Sequence, residues 1–352
     1  MRTVILKVNC EKPEKPKIKA AADVIRKGGL VAFPTETVYG LGADALNAKA
    51  VKRIYEAKKR PLDNPIIVHV ATKQEILQLT ENIPLKANKL MSIFWPGPLT
   101  LVLKASDKVP KAITGGLDTV AVRMPRHNVA LALIKESGVP IAAPSANLSG
   151  RPSPTTAEHV NQDLDGRIEM ILDGGPTNIG VESTVLDVTV DPPIILRPGG
   201  TSYEELVKAL GQVNIHPAAL AEKSVRIVKV PSPGMKHRHY APRAELVLIE
   251  GNIKPTAKKI QQIIDQNKKN GKKVGVLATD ETKSMYTADT VKSLGSRADL
   301  SSAARSLFRL LREFDEEKVD IIVAEGVPLE GLGLAVMNRL RKASNYRIVK
   351  VD

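Results

Sequence analysis

Cysteine is nearly absent from this sequence: Cys10 is the one cysteine among 352 residues. An internal disulfide is therefore excluded, which favours a reducing compartment. Aromatic residues make up only 3% of the chain, so Val, Ile, Leu and Ala must build the core. No apolar run reaches the length of about 18 residues that a membrane-spanning helix needs. We expect a cytoplasmic protein with no signal peptide and no membrane span.

Acidic residues are outnumbered by basic ones, 38 against 52, which gives a formal net charge of +14. Such a charge attracts nucleic acids and polyanionic ligands. A lysine-rich solvated surface gives the same count, so the charge alone leaves both interpretations open. The basic stretches at 58–61 and 268–274 contain no interleaved aromatic residues. Neither stretch is therefore a platform on which single-stranded bases could stack.

The chain is too long for one ordinary hydrophobic core, so two domains are expected. The composition shifts near residue 212, where a stretch rich in Pro, His and Lys shows no sustained apolar period. From Ala244 onward, predicted strands alternate with predicted helices, which indicates a mostly parallel sheet. We predict an α/β catalytic domain at 1–212, a linker and lid at 213–243, and a smaller Rossmann-like α/β domain at 244–352.

A group of polar residues that could form a site lies between residues 30 and 70. An apolar strand ends at Phe33 and is followed by the polar turn Pro34-Thr35-Glu36-Thr37 and a glycine-spaced loop, YGLGAD. A helix then ends in the basic residues 58–60, and the strand PIIVHV follows it at once. Hydroxyl groups, glycines, cations and a histidine brought together in this way suit a carboxylate or phosphate ligand. Basic residues in a last helical turn are also favoured by the helix dipole alone.

Further basic residues stand at the ends of predicted elements. Arg123 closes the apolar strand TVAVR, and it is the residue hardest to explain without an anionic partner. Arg197, in the stretch LRPGG, could instead be an ordinary loop cation. Ser145 and Asn147 occupy a proline-containing turn, where such residues are common whatever the function.

Several long motifs follow one another along the chain. They are PTETVYGLGADA, then KKRPLDNPIIVH, WPGPLTLVL, TVAVRMP, PSANLSG and GVESTVLD. Together they resemble the threonylcarbamoyl-AMP synthase family, whose catalytic domain is YrdC-like. The later segment SPGMKHRHYAP resembles the PGMKxxHYAP linker of the larger, two-domain members. The resemblance implies a YrdC-like twisted, mixed, open sheet with helices, followed by the smaller Rossmann-like domain.

The resemblance also implies an activity. Members of this family join L-threonine, bicarbonate and ATP into threonylcarbamoyl-AMP and pyrophosphate, so the chain is expected to be a nucleotidyltransferase. Mg²⁺ is expected with ATP. The product would pass to a threonylcarbamoyl-transferase complex that makes N6-threonylcarbamoyladenosine in tRNA, and whether tRNA itself binds is left open. Two alternatives remain: an RNA-binding protein that uses a basic face, and a carbamoyltransferase that depends on carbamoyl phosphate.

Site residues are carried over from the family by position. One departure is Lys59, where many members have glycine, which alters the local charge. Catalytic roles fall on Lys58 and Arg60. Threonine would be bound by Thr35, Thr37, His69, Arg123, Ser183 and the backbone at Ala143. ATP would be bound by Arg60, Asn64, Thr119, Ser145, Asn147, Ser153, Arg197, Pro233 and Tyr240.

The linker motif leads to the first prediction, that residues 231–242 form a lid needed for turnover. Prolines lower the entropy cost of ordering a segment, and Tyr240 offers an apolar ring with a polar tip. A lid would keep water from the mixed anhydride. Replacing 231–242 by Gly and Ser should leave the first domain folded and greatly lower the yield of threonylcarbamoyl-AMP. Equal yields from the unaltered protein and the Gly/Ser variant would mean that the segment is an inert tether.

Overall fold

The computed structural model describes residues 2–222 and 239–352 of the chain. These residues divide into two units, one made of 2–149 and 153–219, the other of 150–152, 220–222 and 239–352. Expectations that concern 223–238, among them Pro233 and most of the proposed lid, lie outside the described residues. The domain boundaries drawn from the sequence stay a prediction.

An 11-stranded mixed sheet runs through the described part of the first unit. Its spatial order is β1-β8-β2-β3-β7-β4-β6-β5-β9-β10-β11. The strands are β1 (Val4–Lys7), β2 (Val31–Phe33), β3 (Gly40–Asp44), β4 (Val68–His69), β5 (Leu99–Lys104), β6 (Thr119–Arg123), β7 (Ile141–Ala142), β8 (Met170–Asp173), β9 (Thr184–Asp187), β10 (Ile194–Arg197) and β11 (Asn214–Ile215). The mixed, mostly buried sheet confirms the predicted fold of the catalytic domain.

Helices cover this sheet and close two hydrophobic clusters against it. They are α1 (Lys15–Arg26), α2 (Ala48–Lys58), α3 (Leu85–Phe94), α4 (Lys111–Thr114), α5 (Asn128–Ser137), α6 (Ala157–Leu164), α7 (Tyr203–Leu210) and α8 (Pro217–Leu220). The start of α7 matches the sequence pattern: Ser202 accepts from the amide of Glu205, whose carboxylate accepts from the amide of Ser202. This reciprocal capping leaves two terminal amides satisfied.

The prediction of a glycine-spaced loop at YGLGAD is wrong, because the structure places Gly40–Asp44 in strand β3. This strand pairs antiparallel with β2, so the turn between them is a hairpin connection as expected. The glycines here serve close packing. A Cβ at Gly42 would lie 2.8 Å from the Phe33 ring and 2.9 Å from Ile141. Both neighbours are buried, so a larger residue could not fit without displacing them.

Helix α2 begins and ends with clear signals. Asn47 caps it by accepting hydrogen bonds from the amides of Lys49 and Ala50. Its apolar face holds Val51, Ile54 and Tyr55, all of which are buried. At the other end Lys59 adopts a left-handed conformation with φ 52° and ψ 45°. A left-handed backbone favours glycine. This geometry therefore explains why many members of the family have glycine where this chain has Lys59.

Part of the predicted linker is ordered. Residues 214–215 form β11, which pairs in parallel with β10 at the edge of the sheet. Helix α8 follows, and its residues Ala218 and Ala219 are buried. The first sheet thus extends beyond residue 212 along the chain.

The second unit contains a five-stranded, fully parallel sheet in the order β14-β13-β15-β12-β16. Its strands are β12 (Glu245–Gly251), β13 (Val274–Ala278), β14 (Thr290–Ser293), β15 (Ile321–Glu325) and β16 (Ile348–Val351). Its helices are α9 (Ile253–Lys269), α10 (Leu300–Glu316) and α11 (Gly333–Ala343). The alternation of strands and helices confirms the predicted Rossmann-like architecture. In the parts of the chain that the structure describes, no helix has the length and apolarity to cross a membrane.

The left-handed residue at the end of α2 generates a stability prediction. Replacing Lys59 by Gly should raise the free energy of unfolding by about 1 kcal/mol, because glycine reaches this conformation without a steric penalty. The side chain is exposed, so little packing is lost. Urea unfolding measures the change. Lys59→Ala is the matched control, because it removes the charge but keeps Cβ. If Ala stabilises the protein as much as Gly does, the backbone explanation fails.

Candidate active site

Strand register brings four of the predicted site residues to one edge of the first sheet. His69 at the end of β4 pairs with Arg123 at the end of β6. Leu99 at the start of β5 pairs with Thr184 at the start of β9, so Ser183 lies at the same edge. Arg197 at the end of β10 pairs with Val185. The sheet itself therefore assembles His69, Arg123, Ser183 and Arg197.

The turn after β2 adds two hydroxyl groups to this edge. The Oγ1 atoms of Thr35 and Thr37 lie 2.8 Å apart. Thr35 Oγ1 also accepts hydrogen bonds from the amides of Thr37 and Val38. The sequence predicted a polar turn at this place. The structure bends the segment there, and the hydroxyl of Thr35 stabilises the bend.

We call the group of Thr35, Glu36, Thr37, His69 and Arg123 the edge cluster. Arg123 lies at its centre and is only 3% exposed. Its Nη1 donates to Thr37 Oγ1 at 3.0 Å, and its Nε donates to the carbonyl of Gly97 at 3.1 Å. Its Nη2 lies 2.7 Å from Glu36 Oε2, and Glu36 is 5% exposed. A buried guanidinium needs such partners, because removing a charge from water is costly.

Glu36 is thus a site residue that the sequence analysis missed. Its Oε1 accepts from the amide of Arg126 at 3.0 Å, and its backbone carbonyl accepts from the amide of Ile179 at 2.8 Å. The available signal was a carboxylate placed between two threonines directly after an apolar strand. The anionic partner expected for Arg123 is present within the chain.

His69 lies beside this pair and is buried as well, at 4% exposure. Burial, and secondly the charge of Arg123, lowers the pKa of His69 to about 3. Its ring packs edge-on against Phe33, with 6.3 Å between the centroids. Its Nδ1 has no hydrogen-bond partner among the described residues. His69 is therefore a neutral polar group at physiological pH.

Ser183 and Arg197 form a second part of the same edge. Arg197 donates to the Ser183 carbonyl from Nε at 3.1 Å and from Nη2 at 2.9 Å. Ser183 Oγ lies 2.8 Å from Thr100 Oγ1. Next along the chain, Glu182 accepts from Ser153 Oγ at 2.6 Å. These contacts bring Ser153 into the neighbourhood of Ser183 and Arg197.

Lys58 organises the turn that contains Ser145 and Asn147. Lys58 is only 1% exposed, and its ammonium group donates to the carbonyls of both residues at 2.5 Å. Ser145 Oγ in turn donates to Asn147 Oδ1 at 2.6 Å. The structure therefore brings these three predicted residues together. Lys58 reaches the turn from the end of α2, so it is more than a solvated cation at a helix end.

The loop after α2 holds two further predicted residues. Arg60 donates to the carbonyls of Asn64 and Pro65 at 3.2 and 2.8 Å. Asn64 is 1% exposed, and its Oδ1 has no hydrogen-bond partner in the described part of the chain. Thr119 begins β6, so the length of that strand separates it from Arg123.

Two predicted residues need separate mention. Ala143 follows β7, and its amide donates to the carbonyl of Ile67 at 2.9 Å. Tyr240 belongs to the second unit, where its ring stacks on Phe308 with 5.3 Å between centroids. The guanidinium of Arg339 also lies 5.6 Å from the Tyr240 ring. These contacts place Tyr240 in the packing of the second unit and leave its proposed role toward ATP a prediction.

The described residues contain no group of three or more His, Cys, Asp or Glu side chains placed to hold a metal ion. The edge cluster instead offers a buried cation, a buried carboxylate, hydroxyl groups and a neutral imidazole. These features make the cluster a candidate binding site for a small polar ligand in an α/β domain.

Comparison with known proteins identifies the family. A family model for Sua5, YciO and YrdC proteins, described as telomere recombination, matches residues 23–199. A second model, described as the C-terminal domain of threonylcarbamoyl-AMP synthase, matches residues 201–345. Together the two matches extend over both predicted domains.

Full-length relatives agree with these models. The threonylcarbamoyl-AMP synthase of Pyrococcus abyssi is 56% identical over 99% of this chain and 100% of its own length. That of Bacillus subtilis is 53% identical over 95% of each chain. A crystal structure of P. abyssi Sua5 complexed with L-threonine superposes with a TM-score of 0.94, covering 99% of this chain and 100% of the other. The chain belongs to the threonylcarbamoyl-AMP synthase family and is therefore an enzyme.

The burial of His69 generates a pH prediction. The pKa of its side chain is about 3 in the folded protein, against an ordinary value of 6.5. Below pH 6.5 the unfolded chain takes up a proton that the folded chain excludes, so this residue lowers stability as the pH falls. Its contribution is about 1.4 kcal/mol per pH unit between pH 6 and pH 4.

Replacing His69 by Gln should remove that slope. Urea unfolding of both proteins from pH 7 to pH 4 measures it. The stability of the wild-type protein relative to His69→Gln should decrease steadily as the pH is lowered. Parallel curves would contradict the assignment of a neutral, buried histidine.

Proposed function

We propose that this chain makes threonylcarbamoyl-AMP and pyrophosphate from L-threonine, bicarbonate and ATP, as a nucleotidyltransferase. The observation that carries the proposal is the buried edge cluster of Arg123, Thr35, Thr37 and His69. It lies in a chain that is 56% identical, from end to end, to a threonylcarbamoyl-AMP synthase. The product would serve the N6-threonylcarbamoyladenosine modification of tRNA.

The reaction has two bond-forming steps. The amine of threonine, once deprotonated, attacks the carbon of bicarbonate, and the adduct loses water to give a carbamate. A carbamate oxygen then attacks the α-phosphorus of ATP, and the bond from that phosphorus to the bridging oxygen of pyrophosphate breaks. Every reactant except the amine is anionic in these steps. The site must therefore supply fixed positive charge and oriented donors.

Arg123 is proposed to bind the carboxylate of threonine, because a planar guanidinium holds a carboxylate through two parallel hydrogen bonds. Thr35, Thr37, His69 and Ser183, with the backbone at Ala143, would complete the amino-acid pocket. The 2–4% exposure of Thr35, His69 and Arg123 supports this role. Water excluded from such a pocket cannot compete for the charged groups of the ligand.

The phosphate-binding role is proposed for a second group of residues. Its cations are Lys58, Arg60 and Arg197, and Lys58 holds the turn of Ser145 and Asn147 in place. Asn64, Thr119 and Ser153 would add polar contacts, with Pro233 and Tyr240 contributed by the linker. Mg²⁺ is proposed to arrive with ATP, whose phosphates and bound waters supply most of its ligands. It would neutralise part of the phosphate charge.

The two alternatives predict different requirements. An RNA-binding protein would need only a basic face, and a carbamoyltransferase would need carbamoyl phosphate. No described contact favours either alternative over the family's reaction. Pyrophosphate release separates the three, because only the proposed enzyme needs L-threonine and bicarbonate together.

The test is therefore pyrophosphate release by the full-length protein with each substrate omitted in turn. We expect release only when L-threonine, bicarbonate and ATP are all present. Arg60→Ala should lower kcat/KM for ATP by roughly a hundredfold, as for the loss of one preorganised charge. Lys52→Ala, which removes an exposed lysine of the same helix, is the matched control and should have no effect.

Two outcomes would contradict these expectations. Release that depends on carbamoyl phosphate, or that ignores threonine, would overturn the proposed reaction. Unaltered turnover by Arg60→Ala would mean that Arg60 only closes the loop to Asn64 and Pro65.

A further inference from the structure

A buried carboxylate in helix α6 stands where the local structure disfavours it. Asp163 lies in the last turn of this helix, which ends at Leu164, and it is only 4% exposed. A negative charge near the C-terminal end of a helix is opposed by the helix dipole. Burying the charge costs further free energy unless a partner compensates it. A residue that conflicts with its helix in two ways indicates a role outside that helix.

The partner of Asp163 belongs to the turn that contains Ser145 and Asn147. Asp163 Oδ2 accepts a hydrogen bond from the backbone amide of Leu148 at 3.2 Å. A hydrogen bond from an amide to a charged carboxylate is stronger than one between neutral groups. The contact therefore joins α6 firmly to the loop that follows β7.

The same turn is bonded from two other elements. Lys58 of α2 donates to the carbonyls of Ser145 and Asn147, both at 2.5 Å. The amide of Ala146 donates to the carbonyl of Tyr39, next to β3, at 2.8 Å. A buried cation from one helix thus binds carbonyl groups of the turn, while a buried anion from another helix binds one of its amides.

The two charges meet on a single peptide unit, the one between Asn147 and Leu148. Its oxygen accepts from the Lys58 ammonium group at 2.5 Å, and its N–H donates to Asp163 at 3.2 Å. Because a peptide unit is planar, these two contacts fix its orientation. Turning the unit over would point its oxygen at the carboxylate and its N–H at the ammonium group. Both charges therefore favour the same orientation.

Helix α6 is a rigid support for the carboxylate. Val160 and Leu164 of this helix are fully buried in the same hydrophobic cluster as Ala146 of the turn. Leu148 packs against that cluster as well. Close packing of this kind leaves the helix and the turn little freedom to move apart.

We propose that Asp163 is a positioning residue for the ATP contacts of Ser145 and Asn147. By orienting the peptide unit that follows Asn147, its carboxylate sets the direction of the Asn147 side chain. The Ser145 hydroxyl, which donates to Asn147 Oδ1 at 2.6 Å, is held beside that side chain. Asp163 acts through the turn rather than by touching ATP. The inference rests on the proposed function, in which Ser145 and Asn147 bind ATP.

A purely structural role is the competing explanation. Asp163 would then stabilise the fold without affecting how the turn meets ATP. Loss of its carboxylate would lower the free energy of unfolding but leave the affinity of the folded protein for ATP unchanged. Urea unfolding and ligand affinity, measured on the same variants, separate the two explanations.

The experiment titrates the full-length protein by calorimetry, once with ATP and Mg²⁺ and once with L-threonine. Asp163→Ala removes the acceptor of the Leu148 amide and should raise the Kd of ATP by about tenfold to a hundredfold. The Kd of L-threonine should stay unchanged, because none of its proposed contacts belongs to the turn.

Asp163→Asn is the rescue variant. It keeps an oxygen that can accept from the Leu148 amide, so it should bind ATP more tightly than Asp163→Ala does. Asp165→Asn is the matched control, because Asp165 is an exposed residue directly after the same helix. This control should change neither Kd.

An unchanged Kd for ATP in folded Asp163→Ala would overturn the proposal in favour of a structural role. Equal losses of affinity for ATP and L-threonine would also overturn it. If Asp163→Ala does not fold, Asp163→Ser decides by the same criteria, because the serine oxygen is attached one bond nearer the backbone and lies too far from the Leu148 amide. Failure of the wild-type protein to bind ATP would instead overturn the proposed function.

Discussion

The burial of the Arg123 guanidinium is the constraint on which the edge cluster depends. A charge in the protein interior is tolerated only when partners surround it. Those partners come from distant parts of the chain: Glu36 and Thr37 from one turn, and the Gly97 carbonyl from another. Removing Glu36 would leave the buried charge without its counterion, at a cost of about 3–5 kcal/mol. The same electrostatic requirement that shapes the pocket therefore also fixes the loops that form it.

The turn of Ser145 and Asn147 is likewise held by a buried charge, that of Lys58. Its buried ammonium group is bonded to backbone carbonyls of Ser145 and Asn147, so the turn cannot move without exposing or orphaning that charge. Helix α2 places Lys58 there, and the left-handed Lys59 lets the chain leave the helix directly afterwards. A cation held in this way is oriented before any substrate binds. Preorganised charge of this kind stabilises a transition state more than a mobile surface lysine does.

Much of this architecture follows from the sequence, and the exceptions share a cause. Some features depend on residues close together in the sequence, and the structure contains them. They are the alternation of strands and helices in the second unit, the capping box at Ser202, and the neighbouring hydroxyls of Thr35 and Thr37. Strand β3 was mistaken for a loop because its glycines serve contacts with Phe33 and Ile141, which are distant in sequence. Glu36 was missed for the same reason, since its role depends on Arg123. Local patterns do not encode such long-range partners.

Charge balance connects these observations to the chemistry. Burial and Arg123 together keep His69 uncharged, so the pocket holds one cation and one anion at physiological pH. Had His69 taken up a proton, its repulsion from Arg123 would have weakened the pairing with Glu36 and attracted simple anions. Under the proposed function, this charge balance would suit a net-neutral amino acid. The positive charge of Lys58, Arg60 and Arg197 would then remain for the phosphates of ATP.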